Sequence, residues 1–323
     1  MIDFIGDIHG HADKLKELLL KLGYSKPDNF YVHSNPNRKV LFVGDYIDRG
    51  PKIRKTLEIV KSMVDNGSAI ALMGNHEYNA LCFHFQETAG GHLRKHLIKN
   101  IIQHYETLKQ FQNRQEEYEG YLEWFKTLPL VYETEQFRAV HACWDDKIIN
   151  FLKTKLINNR LTDELIYESV KKETQLHEAI EETLKGKEIK MPECLNFKDK
   201  DGTVRTEIRI KWWENPAQIT YKDISVEPLD NLPATKIDLT LLKSTDFYKE
   251  DEKPVFFGHY WLKGKPLLNK ENVCCLDYSV AKCGYLVAYT FDGESTLDPQ
   301  MLTFVENFCD DKETLEEKSS VSM

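Results

Sequence analysis

Five short sequence motifs combine glycine with side chains that bind metal ions. They are Gly6-Asp7-Ile8-His9-Gly10, Gly44-Asp45-Tyr46-Ile47-Asp48-Arg49-Gly50, Gly74-Asn75-His76-Glu77, Val140-His141-Ala142 and Gly258-His259-Tyr260. Their Asp, Asn and His residues supply oxygen and imidazole ligands without a thiolate. Such a set suits Mn²⁺, Fe or Zn²⁺ and suits copper(I) or an iron–sulfur centre poorly. The motifs therefore indicate a metal site.

The number of ligands indicates two metal ions rather than one. Six candidate ligand side chains are too many for a single catalytic metal, which must keep a coordination position open. Two ions about 3.5–4 Å apart, bridged by a carboxylate and a hydroxide, would use them all. Arg49 lies in the same loop as Asp45, and a guanidinium binds anions such as phosphate. Together these features favour hydrolysis of a phosphate ester.

The elements between the motifs favour an α/β fold. Apolar runs at 2–5, 39–43 and 69–73 read as strands, and amphipathic helical segments follow the first two. Each of the five motifs comes directly after a predicted strand. Sites in open α/β sheets gather at the carboxyl ends of strands, so the motifs are expected to meet at one edge.

The remainder of the chain predicts one elaborated domain over residues 1–309. Segment 92–126 and the Lys- and Glu-rich segment 151–190 read as helical, and strands return at 130–132, 137–141, 254–257, 273–277 and 284–291. We expect a cap or insertion around 92–126 and 150–210. Residues 310–323 read as a polar tail that is frayed or disordered.

Composition excludes several classes of protein. With 43 Lys and Arg against 52 Asp and Glu, the formal charge of −9 argues against binding of a nucleic-acid polymer. No stretch is apolar enough for a membrane helix, and a first motif at Gly6 leaves no room for a secretory leader. Seven cysteines without a C-x-x-C pair predict reduced thiols and a cytoplasmic location.

GDIHG, GDYIDRG and GNHE, in that order and followed by two His motifs, resemble the calcineurin-like metallophosphoesterases. The full GDxxDRG form is similar to the phosphoprotein-phosphatase branch. The resemblance is specific over 1–80 and is sustained by short motifs to residue 292, whereas 92–126 and 145–210 match no motif. It implies an α/β sandwich with mixed central sheets flanked by helices, plus a helical insertion.

The resemblance also implies roles for the motif residues. Six would bind two divalent metals, with manganese expected first and Fe, Zn, Ni or Co as alternatives: Asp7, His9, Asp45, Asn75, His141 and His259. Asp7 and His9 would bind the first metal and Asp45 would bridge both. A bridging hydroxide would attack phosphorus in line while Arg49 holds the phosphate oxygens. His76 would protonate the leaving oxygen, and Asp48 would orient that imidazole.

Two departures leave the substrate open. Protein-phosphatase relatives carry a second phosphate-binding arginine after a Trp motif that the segment 212–216 resembles. In this sequence no arginine follows Arg209. Either a lysine, Arg205 or Arg209 takes the place of that arginine, or the site differs there. Segment 275–289 also resembles bacterial diadenosine tetraphosphatases. The interpretation put first is a Ser/Thr-protein-phosphatase-like phosphomonoesterase acting on phosphorylated protein, peptide or small phosphoesters.

The enzymatic alternative is a bis(5'-nucleosyl)-tetraphosphatase-like hydrolase. A third hypothesis, from a different class, is a regulatory or binding protein that keeps the fold without catalysis. Such relatives commonly lose metal ligands, whereas every expected ligand residue is present in this sequence.

Overall fold

The computed structural model describes residues 1–308 except 89, 192–196, 199–203, 228, 230–231 and 243, and of 197–198 and 204–205 it describes the backbone alone. The helices are α1 (Ala12–Lys21), α2 (Ile53–Asp65), α3 (Asn75–His84), α4 (Ile98–Gln110), α5 (Gln115–Lys126), α6 (Asp146–Lys155), α7 (Asp163–Ser169), α8 (Gln175–Lys185) and α9 (Tyr221–Ile224). The strands are β1 (Ile2–Ile5), β2 (Tyr24–Ser25), β3 (Val32–His33), β4 (Lys39–Phe42), β5 (Ala69–Ala71), β6 (Val131–Glu133), β7 (Arg138–Val140), β8 (Glu188–Lys190), β9 (Phe197–Lys198), β10 (Val204–Arg205), β11 (Glu207–Arg209), β12 (Val255–Phe257), β13 (Val273–Cys275), β14 (Asp277–Tyr278), β15 (Tyr285–Phe291) and β16 (Leu302–Glu306).

The first large sheet is mixed. Its strands β1, β4 and β5 are parallel neighbours, with Phe4 opposite Leu41. On the other side of β1 runs the antiparallel β15, which also pairs with β16 and, near its start, with β14. Parallel β1, β4 and β5 end at the same edge of the sheet, which is where the first three motifs begin.

The second large sheet has the order β13-β12-β7-β6, with β7, β12 and β13 parallel and β6 antiparallel to β7. The two sheets pack face to face, and the rings of Phe4 and Phe256 stack with their centres 3.7 Å apart. Residues next to these on the same strands, such as Ile5 and Phe257, belong to a separate buried cluster shared with the helices. This alternation follows from the two-residue period of a strand.

Helices cover the outer faces because their apolar residues recur at helical spacing. In α1, Leu15, Leu18 and Leu19 lie on one face and are buried in the cluster that contains Ile5 and Phe42. The resulting order is helices, sheet, sheet, helices. The α/β sandwich with mixed central sheets is confirmed, while the division into one domain with insertions stays a prediction.

The segments predicted to be insertions depart from their predicted secondary structure. Segment 92–126 is not one helix, because α4 begins at Ile98 and the chain breaks between α4 and α5, where Asn113 takes a left-handed φ of 61°. Segment 151–190 forms α6, α7, α8 and β8. The predicted strand 273–277 is interrupted at Leu276, where the chain crosses from the second sheet into the first. The predicted tail 310–323 lies outside the described residues.

The described cysteines differ from the expectation of reduced thiols throughout. Cys82, Cys143, Cys274 and Cys275 are free and buried, but Cys283 is disulfide-bonded. Among the described residues no helix is long and apolar enough to cross a membrane.

Candidate metal centre and phosphate site

The five motifs meet where the two sheets adjoin. The motifs with Asp7, Asp45 and Asn75 follow the parallel strands β1, β4 and β5, and those with His141 and His259 follow the parallel strands β7 and β12. Because parallel strands present their carboxyl ends at one edge, residues more than 250 positions apart become neighbours: the backbone N–H of His259 donates to Oδ2 of Asp7 over 3.0 Å.

Asp45 lies between two groups of imidazoles. On one side, its Oδ2 is 3.5 Å from Nε2 of His9 and 3.9 Å from Nε2 of His76. On the other side, its Oδ1 is 3.4 Å from Nε2 of His141, and His259 completes the group. The two groups, His9–Asp45–His76 and Asp45–His141–His259, each have the compactness of a metal site and share one carboxylate.

Asn75 belongs to the second group. Its Oδ1 lies 2.7 Å from Nδ1 of His259 and 3.0 Å from Nε2 of His141. The amide oxygen can only accept hydrogen bonds, and a neutral imidazole has only one N–H to donate. These facing atoms therefore include few donors. Such a set suits a cation better than it suits a hydrogen-bond network.

The proton positions on two of the histidines support the same conclusion. Nδ1 of His9 donates to the carbonyl of Ile47 over 2.9 Å, which leaves a buried Nε2 without a hydrogen-bond partner. Nδ1 of His141 donates to the carbonyl of Val43 over 2.8 Å, so its Nε2 faces only oxygen acceptors. A backbone carbonyl that fixes the tautomer in this way is the usual partner of a metal-binding histidine. The residues therefore fit a divalent cation on each side of Asp45.

Asp7 stands slightly apart from both groups. Its carboxylate accepts the N–H of His259, and a side chain on Gly258 would collide with it. Burial, followed by the negative charges of Asp277 and Asp45, raises the pKa of Asp7 well above its usual value. Several carboxylates buried together repel one another, and divalent cations would relieve that repulsion.

Backbone strain is concentrated in the same loops. Within the five motifs, five non-glycine residues have left-handed φ values: His9 (45°), Asp45 (56°), Asp48 (66°), Arg49 (66°) and His259 (72°). Each costs about 1–3 kcal/mol and persists only where the surroundings enforce it. The spacing of the motifs gave no sign of this strain, although the flanking glycines indicated sharp turns.

Glu77 supplies part of that enforcement. Its buried carboxylate accepts the backbone N–H groups of Asp45 (2.9 Å), Tyr46 (2.8 Å) and Gly74 (3.0 Å). It thereby ties the loop after β4 to the start of α3. Glu77 belongs to the motif Gly74-Asn75-His76-Glu77, but no feature of the sequence pointed to this role.

His76 and Asp48 form a buried pair. Nδ1 of His76 lies 2.5 Å from Oδ2 of Asp48. Burial favours the neutral form of His76, but the charges of Asp45 and Asp48 outweigh it and raise the pKa of His76. Burial likewise opposes ionisation of Asp48, but hydrogen bonds from His104 and His76 lower the pKa of Asp48 below its usual range. His76 therefore favours the charged form that can donate a proton.

Arg49 lies half-buried beside the metal groups. Its Nε is buried without a hydrogen-bond partner, and its Cζ lies 4.3 Å from the ring centre of Trp261. Nζ of Lys282 is 3.9 Å from the same ring centre, and 37% of Trp261 is exposed. The backbone N–H of Trp261 donates to Oδ2 of Asp277 over 2.8 Å. The motif predicted Arg49 as a phosphate-binding residue, whereas no feature of the sequence pointed to the indole of Trp261 that contacts it.

A second arginine also reaches the site. The pKa of His259 is lowered first by burial and then by the positive charge of Arg209. Nε of Arg209 is buried without a hydrogen-bond partner, while its Nη2 lies 3.5 Å from Oε1 of Glu188. The side chain of Arg205 lies outside the described residues. Arg209 is therefore an upstream arginine whose charge acts on a candidate metal ligand.

Comparison with known proteins gives the family. Residues 1–218 match the calcineurin-like phosphoesterases, more than half of the chain, and the protein belongs to that family. Members of this family use a dimetal centre, consistent with the two groups around Asp45. The predicted class, a metal-dependent phosphoric ester hydrolase, is confirmed at the level of the family.

Individual relatives cover only part of the molecule. The chain is 36% identical over 142 residues to the asymmetrical bis(5'-nucleosyl)-tetraphosphatase PrpE of Oceanobacillus iheyensis, covering 44% of this chain and 54% of that protein. It is 45% identical over 75 residues to the enzyme of the same name from a Geobacillus species, covering 23% and 30%. The alignments thus span about half or less of these relatives. A solved protein serine/threonine phosphatase from Saccharomyces cerevisiae aligns with a TM-score of 0.46 and 13% identity, over 94% of this chain and 78% of that one.

Proposed function

We propose that this protein is a dimetal hydrolase that cleaves bis(5'-nucleosyl) tetraphosphates asymmetrically. The observation that carries the dimetal chemistry is the position of Asp45, whose two carboxylate oxygens face separate groups of imidazole nitrogens. The choice of substrate is supported by the named activity of the relatives from Oceanobacillus and Geobacillus. These relatives favour a dinucleoside tetraphosphate over a phosphoprotein, the substrate that the GDxxDRG motif first indicated.

The surroundings of the metal groups also suit a nucleotide. The exposed ring of Trp261 lies close to the cationic groups of Arg49 and Lys282. A ligand with a flat base and a chain of phosphates would find an aromatic surface and positive charge side by side. Arg209 adds a further guanidinium near His259. Several cations around one centre match a polyphosphate better than a single phosphoryl group.

Six side chains would hold the metals: Asp7, His9, Asp45, Asn75, His141 and His259. When bound, two divalent cations supply the charge that stabilises phosphoryl oxygens and make a nucleophile from water at neutral pH. Manganese is the metal that we propose to test first, since the ligands are oxygen and imidazole. Arg49 would bind the phosphate oxygens that the cations leave open, because its guanidinium presents N–H groups in a planar fork.

His76 would donate the proton that the leaving oxygen needs. With Nδ1–H held by Asp48, the proton to be donated is on Nε2, the nitrogen that faces Asp45 and the metal groups. As the phosphorus–oxygen bond breaks, Nε2 gives its proton to the departing oxygen and His76 becomes neutral. No covalent intermediate on the protein is required.

The test is a substrate comparison with purified protein supplied with Mn²⁺. Diadenosine tetraphosphate, a phosphoserine peptide and p-nitrophenyl phosphate are assayed in parallel, and nucleotide products are separated by anion exchange. Asymmetrical cleavage yields AMP and ATP in equal amounts, whereas symmetrical cleavage yields only ADP. Faster turnover of the phosphopeptide would replace this proposal with a protein phosphatase. If neither biological substrate reacts faster than the aryl phosphate, the proposed substrate class is wrong.

A further inference from the structure

The carboxylate of Asp48 is fully engaged by hydrogen bonds. Oδ2 bonds to His76, while Oδ1 lies 2.8 Å from Nδ1 of His104 and accepts from the hydroxyl of Thr107 over 2.6 Å. Asp48, His76, His104 and Thr107 are all buried. Two of the donors come from helix α4, which lies in the segment without any recognisable motif.

Thr107 also bonds to the backbone of Asp48. The N–H of Asp48 donates to Oγ1 of Thr107 over 3.0 Å, so one hydroxyl accepts from the backbone and donates to the side chain of the same residue. Asp48 has a left-handed φ of 66°, a strained conformation that persists only where its surroundings impose it. Thr107 closes a small ring of hydrogen bonds that favours this conformation.

His104 connects Asp48 to helix α5. Its Nδ1 faces the carboxylate of Asp48 and carries a proton there, and its Nε2 lies 2.8 Å from the hydroxyl of Tyr118. Tyr118 is buried, and burial followed by the charge of Asp48 raises the pKa of Tyr118, so its hydroxyl stays protonated. Hydrogen bonds therefore link Tyr118, His104 and Asp48 in one buried chain.

We propose that His104 and Thr107 are positioning residues of the active site. They hold Asp48 so that it keeps the proton of His76 on Nδ1 and points Nε2 toward the metal groups. The two lie three positions apart on α4, so they share one face of the helix. This is the contribution of the segment 92–126 to catalysis. The proposal rests on the proposed role of His76 as a proton donor, but not on the tetraphosphate substrate.

Two amide substitutions at residue 104 separate the bonds of its ring. In His104→Asn, the amide N–H takes the place of Nδ1 and keeps the bond to Asp48, while the link to Tyr118 is lost. In His104→Gln, the amide reaches the place of Nε2 and keeps Tyr118, while the bond to Asp48 is lost. Thr107→Val removes the hydroxyl with little change of shape. Each variant is assayed on phenyl phosphate, a poor leaving group, and on p-nitrophenyl phosphate, a good one.

The glutamine variant should lose about 10- to 100-fold more activity on phenyl phosphate than on p-nitrophenyl phosphate. Thr107→Val should show the same selectivity, and the asparagine variant should keep the wild-type ratio. An equal loss on both substrates would mean that residue 104 only stabilises the fold, and it would overturn the proposal.

A spectroscopic readout makes the test independent of turnover. The proton between His76 and Asp48 lies in a short hydrogen bond, and such imidazole protons resonate far downfield in proton NMR spectra. His104→Gln should shift or broaden that signal, and His104→Asn should leave it close to its wild-type position. A signal unmoved by the glutamine variant contradicts the proposal. Wild-type protein that hydrolyses both aryl phosphates but not diadenosine tetraphosphate would refute the proposed substrate alone.

Discussion

Two regions of the molecule reach the same site in different ways. The motif loops, residues 6–10, 44–50, 74–77, 140–142 and 258–260, follow parallel strands and supply the candidate ligands. Segments 92–126 and 150–210, which were predicted to be insertions, match no motif. They nevertheless supply His104 and Thr107, which bond to Asp48, and Arg209, whose charge acts on His259. Groups that bind metal must have particular chemical types, whereas groups that orient them can come from any element that packs nearby.

This comparison predicts that substitutions in the motif loops remove activity and that substitutions in the inserted segments tune it. The largest effect is expected for Asp45→Asn. An amide cannot bridge two cations as a carboxylate does, so turnover should fall by at least about 1,000-fold, more than the loss of a single oxyanion-stabilising donor. Metal content, measured by mass spectrometry, should fall with it. Asp13→Asn, which changes an exposed carboxylate on α1, is the matched control. If the metal content of Asp45→Asn equals that of the wild type, Asp45 does not bridge the metals.

The next largest effect is expected for His76→Ala. Loss of a general acid should lower turnover of phenyl phosphate by about 100- to 1,000-fold, and turnover of p-nitrophenyl phosphate much less, because nitrophenolate needs little protonation. His92→Ala, which changes a half-buried histidine stacked on His96, serves as the control. Equal losses on the two substrates would assign His76 a role other than proton donation.

A smaller loss is expected from one methyl group at Gly258. A side chain there collides with Oδ1 of Asp7, so Gly258→Ala should displace that carboxylate and weaken metal binding by about 10- to 100-fold. Isothermal titration with Mn²⁺ measures this change. Gly120→Ala is the control, since a methyl group at that position in α5 meets no other atom within 4 Å and should stabilise the helix by about 1 kcal/mol. Unchanged Mn²⁺ affinity in Gly258→Ala would show that Asp7 tolerates movement.

The smallest effect is expected for Arg209→Gln in the inserted region. Removing this charge should raise KM for diadenosine tetraphosphate by about 10-fold, the order of one hydrogen bond to a charged group, with little change in kcat. Arg160→Gln, at an exposed position, controls for the change in net charge. A fall in kcat with unchanged KM would place Arg209 in the chemical step instead of substrate binding.

The sequence predicted the central fold well because its signals there are local. The apolar run at 2–5 became β1, and the run at 39–43 became β4 with one residue fewer. The break between α4 and α5 was missed because it depends on the left-handed backbone of Asn113, and the interruption at Leu276 was missed because it depends on which sheet each side joins.

The identities of Asp7, His9, Asp45, Asn75, His141 and His259 and their places after strands came from the sequence alone, because metal chemistry restricts residue types and strand ends locate them. Only the tertiary structure brought Asn75 to His259, 184 positions away, and His104 to Asp48, 56 positions away. Such contacts are set by how sheets and helices pack, and no local pattern encodes them. The sequence therefore determined which atoms are available for chemistry, and packing decided which of them touch.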